Sequence, residues 1–292
     1  MNHFSLNKRL LRNAFERAAQ NYDRSAVLQR EVGDRMIARL DYINYAPDTI
    51  LDAGCGTGYC TRKLSARYES SRMIAMDIAQ AMLLQARPVK NGWRHYWPFN
   101  RRQEYYVCAD IERLPFCEDS VEMVWSNLAL QWCNDLDMTC REMNRVLKPD
   151  GLLMFSTFGP DTLQELRQAF SQVDNYIHVN QFIDMHDIGD TLVRNRFATP
   201  VMDMEHITLT YEDVISVMRD LKAIGAHNVA QGRLQGLMGK TKWHKVVESY
   251  EAMRIDGKLP ATYEVIYGHA WKLPPKETVL TPEIRKQILM NE

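Results

Sequence analysis

Residues 51–58 read LDAGCGTG, with three glycines directly after an apolar run that starts at Thr49. Glycines between a strand and a helix let backbone N–H groups at the helix N-terminus approach a ligand closely. The spacing is GxGxG, so the third glycine comes one residue earlier than in the dinucleotide fingerprint GxGxxG. Asp52 lies two residues before the first glycine, where its carboxylate would repel a pyrophosphate and attract an ammonium group. The turn therefore favours a cationic ligand over a dinucleotide.

Around this turn, strand-like runs alternate with stretches of helical period. The apolar, β-branched or aromatic runs lie at Thr49–Ala53, Arg72–Asp77, 104–109, 121–126 and 152–158. The clearest helical pattern covers residues 134–148, with Leu136, Cys140, Met143 and Leu147 on one face. Such alternation produces βαβ units and a sheet covered by helices on both sides. We therefore predict an α/β fold with a doubly wound, mostly parallel, Rossmann-like sheet.

Two helical regions lie outside this alternation. One precedes it, at about residues 5–40, and the other, 211–257, lies between strand-like runs at 205–210 and 263–271. The first helix of the second region has a capping-box start (Thr210, Asp213), an apolar face (Val214, Met218, Leu221, Ile224) and an expected end at Gly225. We expect this region to be an insertion between the last two strands, over the carboxyl edge of the sheet.

These patterns predict five segments along the chain. They are an N-terminal helical cover (1–45), a ligand-binding core (46–210), a helical insertion (211–258), a last core strand (259–272) and a tail (273–292).

Composition and charge exclude several classes of function. The 292 residues carry 36 basic and 37 acidic side chains, and this balance argues against a nucleic-acid partner. No run approaches the roughly 18 consecutive apolar residues of a membrane helix, so we expect no membrane partner. The six cysteines form no CxxC pair and no HExxH motif occurs, so we expect no metal. Free thiols without an apolar secretory signal indicate a cytoplasmic protein.

Acidic residues follow three successive predicted strands. Asp77 ends the second strand, 19 residues after Gly58, where a carboxylate can bind both ribose hydroxyls. Asp110 and Ile111 follow the third strand, at the place of an adenine edge. With Asp52 they describe a pocket for a cationic nucleoside, S-adenosylmethionine. The alternatives are a plain tight turn with aspartates as helix caps, or an NAD site.

Longer motifs resemble known families. LDAGCGTG, ADIERLPF (109–116) and RVLKPDGLLMFSTF (145–158) resemble the class I S-adenosylmethionine-dependent methyltransferases. FERAAQNY (15–22), WSNLALQWC (125–133), MRDLKAIGA (218–226) and LPATYE (259–264) resemble the malonyl-[acyl-carrier protein] O-methyltransferases of biotin synthesis. The basic and aromatic stretch 87–102 and the tail after residue 272 depart from that pattern. The expected cofactor-binding residues are Asp52, Gly54, Gly56, Gly58, Asp77, Asp110, Ile111 and Asn127.

The resemblance implies methyl transfer to the free carboxylate of a malonyl thioester on an acyl carrier protein, giving the ester that primes pimeloyl synthesis. A carboxylate is already a nucleophile at neutral pH, so no general base is required, and the task is orientation. We expect Tyr22 and Trp132 to position the reactants. The expected substrate-binding residues are Tyr22, Gln131, Trp132, Arg219 and Lys222. The plainer alternative is that the two aromatics are packing residues and that the two cations form a solvated helix face.

Other functions stay open at this stage. One is a class I methyltransferase acting on another small acid or amine, which predicts activity without a carrier. Another is a related protein-modifying assembly factor of the respiratory NADH dehydrogenase, a hydroxylase with a basic targeting segment. A third is a module that binds S-adenosylmethionine without catalysis. Basic residues in 87–102 offer a docking surface for an acidic carrier.

Overall fold

The structure is a computed structural model that describes residues 6–88, 103–174, 176–224 and 238–274. Most of the stretch 87–102, the expected helix end at Gly225 and the tail beyond residue 274 lie outside these ranges.

A seven-stranded sheet forms the centre of the described chain. Its strands are β1 (Thr49–Ala53), β2 (Arg72–Asp77), β3 (Glu104–Cys108), β4 (Val121–Asn127), β5 (Leu147–Phe158), β6 (Phe197–Tyr211) and β7 (Leu259–Lys272). Their order is β3-β2-β1-β4-β5-β7-β6; β1 to β5 are parallel, and β7 is antiparallel to both neighbours. This confirms the predicted doubly wound, mostly parallel, Rossmann-like fold. It also brings the carboxyl ends of β1 to β5 to one edge.

Helices cover both faces of the sheet. They are α1 (Lys8–Ala18), α2 (Tyr22–Ser25), α3 (Val27–Arg39), α4 (Tyr59–Arg67), α5 (Gln80–Ala86), α6 (Leu136–Val146), α7 (Gln164–Ser171), α8 (Met185–Arg194), α9 (Val214–Ala223) and α10 (Lys240–Glu251). Successive residues of a strand point to opposite faces. In β1, Ile50 therefore packs with α3, α4 and α7, whereas Leu51 packs with α6 and α8.

The prediction that Leu147 lies on a helix face is wrong. Helix α6 ends at Val146, and Leu147 begins β5 by pairing with Val121. The reason lies two residues further on, where Pro149 disfavours helical backbone at Lys148 and pushes the chain into an extended conformation. Strand β6 also starts earlier than the run at 205–210 indicated, because Phe197 already pairs with Lys272.

The helical insertion lies between β6 and β7, as predicted, but α9 begins differently. Thr210 is still part of β6, where it pairs with Pro260, and Asp213 is itself the N-cap that accepts a hydrogen bond from the Ser216 amide at 2.7 Å. The buried face of α9 consequently contains Val217 instead of Met218, whose side chain is exposed. Met218 lies at the edge of a cavity described below.

Candidate active site

The glycine turn connects β1 to α4 at the carboxyl edge of the sheet. Gly54, Gly56 and Gly58 have φ values of +85°, +54° and +79°, in the left-handed region where other residues are strained. A Cβ on Gly54 would lie 2.4 Å from the Cβ of Ala129, and one on Gly58 would lie 2.9 Å from the Cβ of Ala86. The turn therefore requires glycine for both its backbone conformation and the close approach of its neighbours.

Asp77 lies at the end of β2, beside this turn. Its two carboxylate oxygens accept hydrogen bonds from the backbone N–H groups of Gly56, at 2.9 Å, and Ala79, at 2.8 Å. The side chain is buried, and burial raises the pKa of Asp77 to about 6. Each carboxylate oxygen can accept a further hydrogen bond. Asp77 also lines the cavity above the turn, so this capacity faces a ligand site.

Asp110 and Ile111 line the same cavity after β3. The Nζ of Lys8 in α1 lies 2.9 Å from the Oδ1 of Asp110 and also forms an ion pair with Glu112. Lys8 itself lines the cavity. Sequence reasoning did not identify Lys8 as a site residue, because no motif connects it with residues a hundred positions away.

Helices α1 and α2 cover the cavity and are held by polar contacts with the core. The carboxylate of Glu16 accepts hydrogen bonds from the amides of Gln80, at 2.8 Å, and Ala81, at 2.9 Å, at the start of α5. The ring of Tyr22 lies over the glycine turn. Its Cε1 atom is 3.8 Å from the position that a Cβ on Gly56 would occupy. Burial, with the carboxylates of Asp77 and Asp23 nearby, raises the pKa of the Tyr22 phenol. Tyr22 is therefore a protonated hydroxyl at the site.

Gln29 of α3 supplies a polar group that sequence reasoning missed. The Nδ2 of Asn127 donates to the carbonyl of Gln29 at 2.9 Å, and the hydroxyl of Ser156 donates to the Oδ1 of Asn127 at 2.9 Å. The Oε1 of Gln29 is buried without a hydrogen-bond partner among the described residues, and Gln29 lines the cavity. Asn127 thus lines the cavity and also holds Gln29 in place, while Gln29 has an acceptor left for a ligand.

Two of the expected cofactor residues do not line the cavity. Asp52 is 1% exposed and accepts a hydrogen bond from the hydroxyl of Thr61 in α4 at 2.5 Å. Burial raises the pKa of Asp52 to about 7. The register explains the difference, because Asp52 pairs with Ala75, two residues before Asp77, so its carboxylate lies further from the carboxyl edge and contacts α4. Gly58 packs against α5 instead. Both residues support the turn without direct access to the cavity.

A second, larger cavity opens beside the first, with a volume of about 1050 Å³. The two cavities share the lining residues Gln131, Trp132, Phe158 and Ile224. The second one is lined by aromatic and aliphatic side chains and by exposed Arg17, Arg219 and Lys222. Among the described residues that line it, none is an Asp or a Glu. The first cavity therefore carries the carboxylates of Asp77 and Asp110 beside one cation, Lys8, whereas the Arg and Lys side chains of the second face no carboxylate among the described residues of its lining.

The expected substrate residues divide between the cavities. Tyr22 lines the first, Arg219 and Lys222 line the second, and Gln131 and Trp132 lie at the junction. The ring of Trp132 makes an edge contact with Phe15 at a centroid distance of 5.6 Å, and the Nε2 of Gln131 donates to the Leu128 carbonyl at 2.7 Å. Trp132 thus has a packing role as well as a position at the junction.

Within the described ranges, one group of side chains is close enough to hold a metal ion, Asp161, His206 and Glu264. None of the three lines either cavity. No helix within the same ranges is long and apolar enough to cross a membrane.

Comparisons with known proteins show the family and the fold. Residues 51–155 match the family described as "Methyltransferase domain". The fold is similar to the YcgJ protein of Bacillus subtilis, with a TM-score of 0.56 at 14% identity over 82% of this chain and 98% of that one.

Similarity to curated relatives extends over nearly the whole chain. A malonyl-[acyl-carrier protein] O-methyltransferase of Nitrosospira multiformis is 60% identical over 98% of this chain and 95% of its own length. One from Gallionella capsiferriformans is 58% identical over 94% of each chain. Identity of this extent includes the helical cover and the insertion as well as the core. The chain therefore belongs to the malonyl-[acyl-carrier protein] O-methyltransferase family.

Proposed function

We propose that this chain transfers a methyl group from S-adenosylmethionine to the free carboxylate of malonyl-[acyl-carrier protein], giving the methyl ester that primes pimeloyl synthesis for biotin. The observation that carries the proposal is the difference in charged groups between the two adjoining cavities. A buried carboxylate, Asp77, lines the cavity at the glycine turn, and cations line the adjoining cavity. A cationic methyl donor and an anionic acceptor match these two charges.

The residues of the first cavity fit S-adenosylmethionine, whose sulfonium centre supplies the methyl group. The unpartnered Oε1 of Gln29 is an acceptor suited to an ammonium group, and Asp77 has acceptor capacity for a ribose diol. Asp110 and Ile111 lie where an adenine edge would pack. The glycine turn allows backbone to approach the ligand between them.

In the transfer, a malonyl carboxylate oxygen attacks the methyl carbon. The new C–O bond forms as the C–S bond breaks, and S-adenosylhomocysteine leaves. No proton is removed from the attacking oxygen, so the chain needs no general base. Its contribution is to bring the two reactants together at the junction, where Gln131 and Trp132 lie, and to exclude water under the helical cover.

Exposed cations suit the acceptor for a physical reason. Arg219 and Lys222 are solvated, so an ion pair with the malonyl carboxylate is weak and leaves the oxygen nucleophilic. The same cations, with Arg17, attract an acidic carrier protein to the mouth of the cavity.

Labelled S-adenosylmethionine tests this function. With malonyl-[acyl-carrier protein], the label should appear in a base-labile ester on the carrier. A carrier loaded with the monomethyl ester of malonate, which has no free carboxylate, serves as the matched control and should stay unlabelled. Label that enters only a free acid or amine would identify a different methyltransferase.

A genetic test distinguishes the proposed methyl transfer from the assembly-factor alternative. The gene should restore growth without biotin to a strain that lacks this methyl transfer. Failure to do so, together with defective respiration when the gene is deleted, would favour the alternative.

A further inference from the structure

The segment between α7 and α8 forms part of the wall of the second cavity, through residues that include His178, Val179, Asn180 and Phe182. Asn180 is 7% exposed, and its Oδ1 is buried without a hydrogen-bond partner among the described residues. Burying an amide oxygen unpaired costs stability, so such atoms in a cavity wall indicate a partner that arrives from the cavity.

The neighbouring residues of this segment make mainly aromatic contacts. Phe182 packs edge-on against Phe158 with ring centroids 5.7 Å apart, and Phe158 also packs against Tyr263 at 5.6 Å. The Nε2 of His178 lies 2.7 Å from Asp174, and its ring stacks on Phe170. Asn180 therefore has a buried, unpaired amide oxygen in a largely apolar part of the wall.

The wall also leads to the methyl-transfer position. Phe158, which contacts Phe182, lines both cavities. A substrate that passes along the wall thus reaches the junction with its reactive end, while the part behind it lies beside Asn180.

The chemistry of a malonyl thioester indicates which part of the substrate would lie beside Asn180. The ionised carboxylate and the thioester carbonyl have only acceptors, so neither can satisfy the Oδ1 of Asn180. A secondary amide has an N–H donor and a carbonyl acceptor, and it pairs with the side-chain amide of asparagine in either orientation. In the substrate of the proposed function, such amides occur in the pantetheine arm that carries the thioester.

We propose that Asn180 is a specificity residue that binds a secondary amide of the pantetheine arm, so that the cavity recognises the arm as well as the malonyl group. The inference rests on the proposed function.

The test compares two acceptors and two variants. The acceptors are malonyl-pantetheine, which has the amides, and S-butyl malonyl thioester, which has none. The variants are Asn180→Leu, which keeps the branched shape of the side chain but removes the amide, and Asn180→Ala. For malonyl-pantetheine we expect KM to rise roughly 5- to 30-fold in both variants, with a smaller change in kcat. For the S-butyl thioester we expect kcat/KM to stay within about twofold of wild type.

Melting temperature provides a readout that separates recognition from structure. Asn180→Leu should melt at or above the wild-type temperature, because an unpaired buried oxygen has been removed. Asn195→Ala is the matched control, since the amide of Asn195 donates to Asp137 and to the Thr191 carbonyl and lines neither cavity. Asn195→Ala should leave the ratio of kcat/KM for the two acceptors unchanged.

Distinct outcomes overturn the inference and the proposed function. Equal loss of activity on both acceptors, or a lower melting temperature for Asn180→Leu, would show a structural role for Asn180. An unchanged KM for malonyl-pantetheine in both variants would show that the amide is not used. If wild-type protein binds S-adenosylhomocysteine but methylates neither these acceptors nor the loaded carrier, the proposed function fails and this inference fails with it.

Discussion

The two cavities differ in how their charges are held. Asp77 is buried and accepts backbone hydrogen bonds from Gly56 and Ala79, whereas Arg219 and Lys222 are exposed on a helix that was inserted between strands. A buried charge in a medium of low dielectric interacts strongly with a ligand that contacts it, whereas exposed charges interact more weakly and are screened by salt. The first cavity, called the cofactor side below, thus holds its charge in a fixed geometry. The second cavity, called the acceptor side, has charges suited to attracting a large anionic partner.

The largest effect should come from Gly54→Ala at the cofactor side. The new Cβ would lie 2.4 Å from that of Ala129 at a φ of +85°, so strain and overlap together cost roughly 2–5 kcal/mol. We expect a lower melting temperature and loss of S-adenosylhomocysteine binding in calorimetry. Gly189→Ala is the control, because a Cβ there meets nothing within 4 Å and lies in α8. If Gly54→Ala bound S-adenosylhomocysteine normally, the claim that binding requires this fixed turn geometry would be refuted.

Asp77→Asn should weaken binding of S-adenosylhomocysteine roughly 10- to 100-fold, because hydrogen bonds to a charged group are lost. Asp52→Asn should weaken it much less, since Asp52 does not line the cavity. Titration calorimetry of both variants measures the difference. Equal losses would mean that Asp52 contacts the ligand directly, as the sequence motif alone suggested.

The same carboxylate predicts a pH dependence of binding. Burial raises the pKa of Asp77 to about 6, so Asp77 becomes protonated as the pH falls through 6 and loses its charge. Affinity for S-adenosylhomocysteine should therefore fall roughly 3- to 10-fold between pH 7 and pH 5. Asp77→Asn should flatten this dependence. A variant that keeps the wild-type profile would assign the titration to another group.

The smallest effect should come from the acceptor side. Reversing both cations in Arg219→Glu/Lys222→Glu should raise KM for the loaded carrier roughly 3- to 10-fold, with kcat less affected. The effect should shrink as salt increases, because both side chains are exposed. Arg141→Glu, on α6 and outside both cavities, is the control for a charge reversal away from the cavities. A loss of kcat that salt does not change would place these cations at the reacting atoms instead.

Sequence patterns were sufficient for the sheet and for much of the first cavity. Strand period, glycine spacing and acids at strand ends are local properties, and parallel strands place their carboxyl ends together. Asp77, Asp110, Ile111 and Asn127 accordingly line one cavity. Asp52 belongs to the same motif but lies further from the carboxyl edge, in register with Ala75, and the packing of α4 is what places Thr61 against its carboxylate.

The sequence by itself determined the doubly wound sheet, the glycine turn and the kind of ligand that strand-end acids accept. Only the tertiary structure decided that Lys8 and Gln29 enter the first cavity, that Trp132 joins the two, and that Asn180 has an unpaired oxygen in the second. The physical reason is that these side chains meet across long separations, as between Gln29 and Asn127, through the packing of helices and a loop that carry no motif. Local pattern determines where a strand ends, but a cavity wall depends on which segments pack together around it.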